Sequence, residues 1–232
     1  MSDFNASTIL KPHRLAKRIV FVLLYKVFWR MIFGLVIELK YIRADKVSLK
    51  GPVIYVANHN SHLDAMALMT VVPSARIHLT HSVAAQDFFG SGFKRWGMLH
   101  LVNAVLISRS RKENGEDPIE QLDAMLVEGR SLILFPEGTR GVPGSMGDFK
   151  RGVGHLASRH PGIPVVPIYL DGLYRNLPKG RSMIVPFGGT LLVGMPLVFS
   201  TESVDEITNA TQAAVEAMAY ELKNSNRLTP PT

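Results

Sequence analysis

The chain has 232 residues, 47 % of them apolar, enough to bury one full core and too apolar for a disordered chain. It contains no cysteine, which excludes disulfides, thiolate metal sites and a cysteine acyl-enzyme and fits a reducing compartment. Lys and Arg outnumber Asp and Glu 26 to 19, and the resulting +7 suits an anionic membrane surface or an acidic carrier. No zinc-finger spacing or basic stripe interleaved with aromatics points to nucleic acid.

Six cations (Lys11, Arg14, Lys17, Arg18, Lys26 and Arg30) fall between Asp3 and the next acid, Glu38. Around them runs "IVFVLLYKVFWRMIFGLVI", residues 19–37, near the length of a membrane span of about 20 residues. Lys26 and Arg30 stand mid-segment and share a helical face. At a bilayer centre each would cost roughly 2.5–3.5 kcal/mol. A helix lying among the headgroups avoids that cost, burying Phe, Trp29, Leu and Ile while its cations meet phosphates. A true span and a helix packed on the protein body are the alternatives. A secretory signal does not fit, because the apolar run before Lys26 is short and no small-residue cleavage pattern follows. The expectation is a basic amphipathic, membrane-associating helical segment over residues 1–45.

Beyond it the pattern alternates between strand and helix. "VIYVA", 53–57, is a short β-branched and aromatic run bounded by Gly51-Pro52 and a polar loop, the profile of a buried strand. Ser61 is placed to cap the helix "HLDAMALMTVV", with Asp64 as its capping-box acid. "AVLIS", 104–108, is a second strand. Asp117-Pro118 opens a helix with Ile119, Leu122, Met125 and Leu126 on one face, and Gly129 ends it. "SLILF", 131–135, is a third strand, and "FKRGVGHLASRH" begins another helix. "PVVPIYL", 164–170, reads as a strand with an irregular edge at Pro167. Residues 183–199 hold two or three late strands, and a capping box from Ser203 to Glu206 starts a helix with Val204, Ile207, Val215, Met218 and Leu222 on one side. "TPPT" is a frayed tail. These elements predict an α/β fold over 46–228, a mixed and largely parallel sheet flanked by helices.

Polar clusters stand at the ends of these strands, where ligands bind in open α/β sheets. The first is "NHNSHLD", 58–64. A helical turn carries Asp64 back toward His59, so the carboxylate can reach one imidazole nitrogen and leave the other to take a proton from a bound hydroxyl. A carboxylate in that position fixes the tautomer and stabilises the imidazolium; a positioned general base contributes about 10²–10⁴-fold. The same residues also suit an ordinary cap and loop. His59, His62 and Asp64 could ligate a metal, but no second ligand cluster stands at a matching strand end, so no metal is expected. The second cluster is "FPEGTR", Phe135 to Arg140. Its Gly138 permits close backbone approach, Arg140 offers a planar fork for phosphate or carboxylate, and Glu137 could pair with the arginine or a ligand hydroxyl. A plain glycine turn with a solvated arginine is the alternative.

Taken together, "NHNSHLD" and "FPEGTR" resemble the N-H-x-S-x-x-D and F-P-E-G-T-R blocks of the glycerolipid acyltransferase family, typified by 1-acylglycerol-3-phosphate acyltransferases. "VLISR" ending at Arg109, "FKRG" at 149–152 and Val166-Pro167-Ile168 match further family features, so the likeness covers about residues 50–190. The resemblance implies that His59, oriented by Asp64, deprotonates an acceptor alcohol that attacks an acyl-CoA or acyl-carrier-protein thioester directly. Arg109, Glu137, Gly138, Thr139, Arg140 and Lys150 would bind substrate phosphate, and Asn58 and Ser61 would shape the loop. The implied product is phosphatidate, made by acylating the sn-2 hydroxyl of 1-acylglycerol-3-phosphate at the cytoplasmic face of a membrane by a peripheral or monotopic protein; no cofactor is called for. Direct transfer agrees with the missing cysteine and the missing G-x-S-x-G elbow: Pro143 stands at the first glycine of "PGSMG". Two departures stand out. Gly141 follows the second block where many relatives have Ser, and Ala85 aligns with a lysine that approaches phosphate in many lysophosphatidate-using relatives. The second departure leaves another lyso-lipid or glycolipid alcohol as the alternative acceptor.

Overall fold

The computed structural model describes residues 12–47, 50–86, 102–107, 117–139, 141, 144–176 and 185–228. Helix α1, Pro12–Val22, continues through two π-helical stretches, Leu23–Trp29 and Ile32–Val36. There follow β1 (Leu39–Ile42), β2 (Ile54–Ala57), α2 (Asp64–Val71), β3 (Thr80–Ala85), β4 (Val105–Ile107), α3 (Pro118–Val127) and β5 (Ser131–Leu134). The chain ends with α4 (Gly152–Arg159), β6 (Val165–Asp171), α5 (Leu173–Asn176), β7 (Gly189–Val193) and α6 (Val204–Leu228).

The strands form one seven-stranded sheet in the order β1-β7-β6-β2-β5-β3-β4. Among the described strands only the β6–β7 pair is antiparallel. Parallel strands of this kind are covered on both faces, which is why "IYVA" and "SLIL" are buried at every position. On one face Tyr55, Ala57, Ile133, Val166 and Ile168 meet Leu68 and Met69 of α2 and Phe21, Tyr25, Phe33 and Ile37 of the N-terminal helix. On the other, Ile54, Val56, Leu132 and Leu134 meet Leu122 and Leu126 of α3, Val153 and Leu156 of α4, and Ile207 and Val215 of α6. Helix α4 crosses α6 at Gly154, where a Cβ would lie 2.2 Å from the Val204 carbonyl. Only glycine permits that approach.

Several local expectations hold. Asp117 Oδ1 accepts the Ile119 N–H at 3.0 Å, and Pro118 opens α3. The Ser203–Glu206 box closes both ways, with Ser203 N donating to Glu206 Oε2 at 2.8 Å and Glu206 N to Ser203 Oγ at 3.3 Å.

Others change. Leu63, not Ser61, is the N-cap of α2; the Ser61 hydroxyl instead accepts the Leu63 N–H at 3.2 Å. Residues 185–199 hold one strand, β7, and a single bridge from Leu197 to Val165. Pro167 belongs to an interior strand. Ile168 pairs with Val193 and Val165 with Leu197, three residue steps against four, so the chain opposite Pro167 bulges where the missing N–H falls.

Four cations of the N-terminal helix contact the protein body, Lys26 and Arg18 half-buried and Lys17 and Arg30 exposed. Lys17 Nζ donates to Asn103 Oδ1 at 2.8 Å, Arg18 Nε to the Ser74 carbonyl at 3.2 Å, and Lys26 Nζ to the Thr70 carbonyl. Arg30 lies 3.8 Å above the Tyr41 ring. Lys26, half-buried, thus meets a carbonyl of the body in place of the headgroup phosphate expected for it, whereas Arg30 stays exposed beside the Tyr41 ring. Trp29 is half-buried and packs on Phe33, with ring centroids 5.5 Å apart. Ile19, Leu23, Val27, Met31 and Leu35 face outward, Leu35 being 77 % exposed.

Candidate active site

Strands β2, β3, β4 and β5 run parallel, so their C-terminal ends share one edge of the sheet, and the two polar blocks meet there. Asn58 extends β2 through its side chain: Nδ2 donates to the Leu170 carbonyl and Oδ1 accepts the Leu170 N–H, both at 2.8 Å. This fixes where His59 leaves the sheet.

Asp64 is 1 % exposed, and its Oδ2 gathers three donors. His59 Nδ1 lies 2.9 Å away, and the N–H groups of Asn60 and Ser61 each lie 2.7 Å away. Among the described residues Oδ1 finds no donor. An ionised carboxylate can only accept, so Nδ1 carries the ring proton and the lone pair is on Nε2. The imidazole stacks on Phe135, centroids 4.2 Å apart and planes 25° from parallel. It keeps 23 % of its side chain exposed.

Glu137 serves the same loop from below. It is 7 % exposed; Oε1 accepts the His59 N–H at 2.8 Å and Oε2 the Gly147 N–H at 2.9 Å. Burial pushes its carboxyl pKa up, against the lowering effect of the Gly147 and His59 N–H groups. Both oxygens are thus engaged by the protein's own backbone, which is a different use from pairing with a ligand hydroxyl. Gly138 turns at φ 73°, and a Cβ there would sit 2.6 Å from Lys150 Nζ. The ammonium crosses over the turn because no side chain is in its way.

A cleft of about 370 Å³ opens beside this loop. Its lining joins polar His59, His62, Thr139 and Lys150 to apolar Val83, Ala84, Ala85, Ile107, Ile119, Leu122, Leu134, Val153 and Leu156. His59 is therefore stationed at the edge of an apolar groove between the sheet and helices α3 and α4. Of the residues expected from sequence, His59, Asp64 and Glu137 are joined by hydrogen bonds, and Gly138, Thr139 and Lys150 line the cleft. Arg109 and Arg140 lie outside the described residues. Among the described residues no three His, Asp or Glu side chains are grouped as metal ligands would be. Sequence reasoning passed over Phe135 and Gly147. Phe135 could have been suspected from its place at the head of "FPEGTR", directly after a strand end; nothing in the sequence marks Gly147.

The family model described as "Acyltransferase" matches residues 36–171. A 1-acyl-sn-glycerol-3-phosphate acyltransferase of Chlamydomonas reinhardtii is 30 % identical over 164 residues, 71 % of this chain and 47 % of its own. A chloroplastic 1-acyl-sn-glycerol-3-phosphate acyltransferase of Brassica napus is 30 % identical over 61 % of this chain and 39 % of its own. The alpha form of the human enzyme of that name is 28 % identical over 59 % and 50 %. This chain thus spans half or less of the length of these curated relatives. The crystal structure of the 1-acyl-sn-glycerophosphate (LPA) acyltransferase of Thermotoga maritima superposes with a TM-score of 0.73 at 23 % identity, covering 93 % of this chain and 84 % of that one.

Proposed function

The chain belongs to the acyltransferase family, and from that premise we propose that it moves a fatty acyl chain from a thioester of CoA or acyl-carrier protein to the sn-2 hydroxyl of 1-acylglycerol-3-phosphate, giving phosphatidate. The observation that carries this is the His59–Asp64 hydrogen bond at the mouth of an apolar cleft. His59 Nε2 takes the proton of the acceptor hydroxyl as its oxygen attacks the thioester carbonyl. The C–O bond forms, the C–S bond breaks, and the imidazolium returns its proton to the departing sulfur. Asp64 holds the Nδ1 proton throughout and stabilises the imidazolium. The apolar interior of the cleft receives the acyl chain, while Lys150 and Thr139, with Arg109 and Arg140, bind phosphate.

A second reading keeps the chemistry and changes the acceptor to another lyso-lipid or glycolipid alcohol. Ala85 favours it, because a methyl group lines the cleft where a cation would serve a phosphate.

We also propose that the protein lies on the cytoplasmic side of a membrane as a monotopic or peripheral protein. Among the described residues one helix, Leu15–Val36, is long and apolar enough to cross a bilayer. Crossing would strip Lys17, Arg18, Lys26 and Arg30 of their partners on the body, whereas half-immersion places the outward Ile, Leu, Val and Met side chains and Phe28 among acyl chains. An acidic headgroup layer attracts the remaining positive charge.

The test is an acceptor panel assayed in detergent against both donor classes. Phosphatidate from lysophosphatidate as the preferred product supports the first reading. Preference for an acceptor without a phosphomonoester supports the second, and no transfer from any thioester refutes both.

A further inference from the structure

Helix α2 carries Asp64 in its first turn, and its eight residues span about 12 Å. The other end is gripped by the N-terminal helix. Lys26 Nζ donates to the carbonyl of Thr70, in the last turn of α2. That carbonyl is among those a helix end leaves without an intrahelical partner, and a cation there also meets the negative end of the helix dipole. A second link lies alongside. Thr70 Oγ1 donates to the Ala67 carbonyl at 2.6 Å and accepts from Tyr41 Oη at 3.1 Å, and the Tyr41 ring lies under Arg30 at 3.8 Å. Lys26 and Arg30, one helical turn apart, thus hold the same end of α2, one directly and one through an aromatic ring.

Lys26 is half-buried with its ammonium on α2, and Arg30, though exposed, lies on the Tyr41 ring. The outward face, with Leu23, Val27 and Met31, can meet lipid without them. Their contacts instead fix α2 lengthwise. Its first turn is tied to the loop of His59 through three donors on Asp64 Oδ2, and its last turn to the N-terminal helix. A short, buried helix held at both ends transmits displacement of one end to the other.

We infer that Lys26 is a positioning residue for acyl transfer: by holding the C-terminal end of α2 against the N-terminal helix, it sets the placement of Asp64 and hence the orientation of His59. The segment expected to serve as an anchor is then also part of the scaffold of the site. The inference rests on the acyl-transfer reading above for its kinetic consequences and on the Lys26–Thr70 and Asp64–His59 contacts for its structural one.

The experiment uses the full chain in detergent and on phosphatidylglycerol-containing vesicles, as wild type, Lys26→Met, Lys26→Arg and Tyr41→Phe, with ¹⁵N-labelled histidine. Lys26→Met lowers kcat about 10-fold, as a small misplacement of catalytic groups does, with both KM values within about twofold and vesicle flotation unchanged. The ¹⁵N shifts of the His59 ring move in the same variant, and Lys26→Arg restores both rate and shifts. Tyr41→Phe, which keeps the ring and removes only a hydroxyl, moves them in the same direction by less. Wild-type kcat and unmoved His59 shifts in Lys26→Met overturn the proposal. So does a loss of rate that follows loss of vesicle binding, or one that leaves the His59 ring unchanged. Should Lys26→Met not fold, Tyr41→Phe decides alone: shifted His59 nitrogens support the coupling and unshifted ones refute it. If the wild type transfers no acyl group, the functional reading fails, while the ring shifts still report on the coupling.

Discussion

Glu137 Oε1 accepts the backbone N–H of His59 at 2.8 Å, across 78 residues of sequence. The second sequence block therefore supports the first through the main chain. Glu137→Ala leaves the His59 and Gly147 N–H groups buried without their acceptor, at about 1–3 kcal/mol each. The expected outcome is a lower melting temperature together with a fall in kcat. Unchanged stability with a raised KM for the acceptor alone would assign Glu137 to substrate instead.

The raised pKa of Glu137 has a signed consequence for pH dependence. Its folded-state pKa lies above the unfolded one, so its contribution to stability is fully present below the unfolded pKa of about 4.3 and is lost as pH rises through the folded value. Glu137→Gln cannot ionise. The melting temperature of the variant relative to wild type should therefore climb as pH rises across that window, as thermal unfolding at a series of pH values will show. A difference that is flat or declines with pH contradicts the burial argument.

Phe135 fixes the plane of the imidazole by stacking at 4.2 Å. Such contacts are worth about 0.5–1.5 kcal/mol, so Phe135→Leu should lower kcat about 2- to 12-fold with little change in KM. Steady-state kinetics check this. A rise in donor KM at constant kcat would instead make Phe135 a wall of the acyl groove.

Ile119 lines the cleft where α3 faces Gly152 of α4. Ile119→Trp should bias the enzyme toward shorter acyl donors, measured as product composition from an equimolar donor mixture by mass spectrometry. An unchanged chain-length profile would mean that the acyl chain takes another path.

Much of this was legible in the sequence, for identifiable reasons. The buried strands "IYVA" and "SLIL" declared themselves because both faces are covered and every residue is apolar. His59 and Asp64 were legible because a strand end and a helix start bring positions five apart together. Strand β3 was not: "THSVAA" opens on three polar residues and has only the short run Val83–Ala85, and its buried Thr80 has its carbonyl satisfied by Asn103 Nδ2, 23 residues away. Strand β1 hid because it is a half-exposed edge absorbed into an apolar N-terminal run. The spacing of Lys26 and Arg30 gave a shared face but not its direction, which depends on carbonyl and ring partners in α2 and β1. The role of Glu137 was illegible because its partners are backbone N–H groups, which leave no pattern in sequence.

The central claim is that His59 is the base. Its most direct test is the rate of acyl transfer from a thioester donor to lysophosphatidate by wild type and His59→Ala, both shown to be folded and vesicle-bound. The account predicts a loss of at least about 10²-fold in kcat with acceptor KM little changed. Transfer by His59→Ala at the wild-type rate would contradict it.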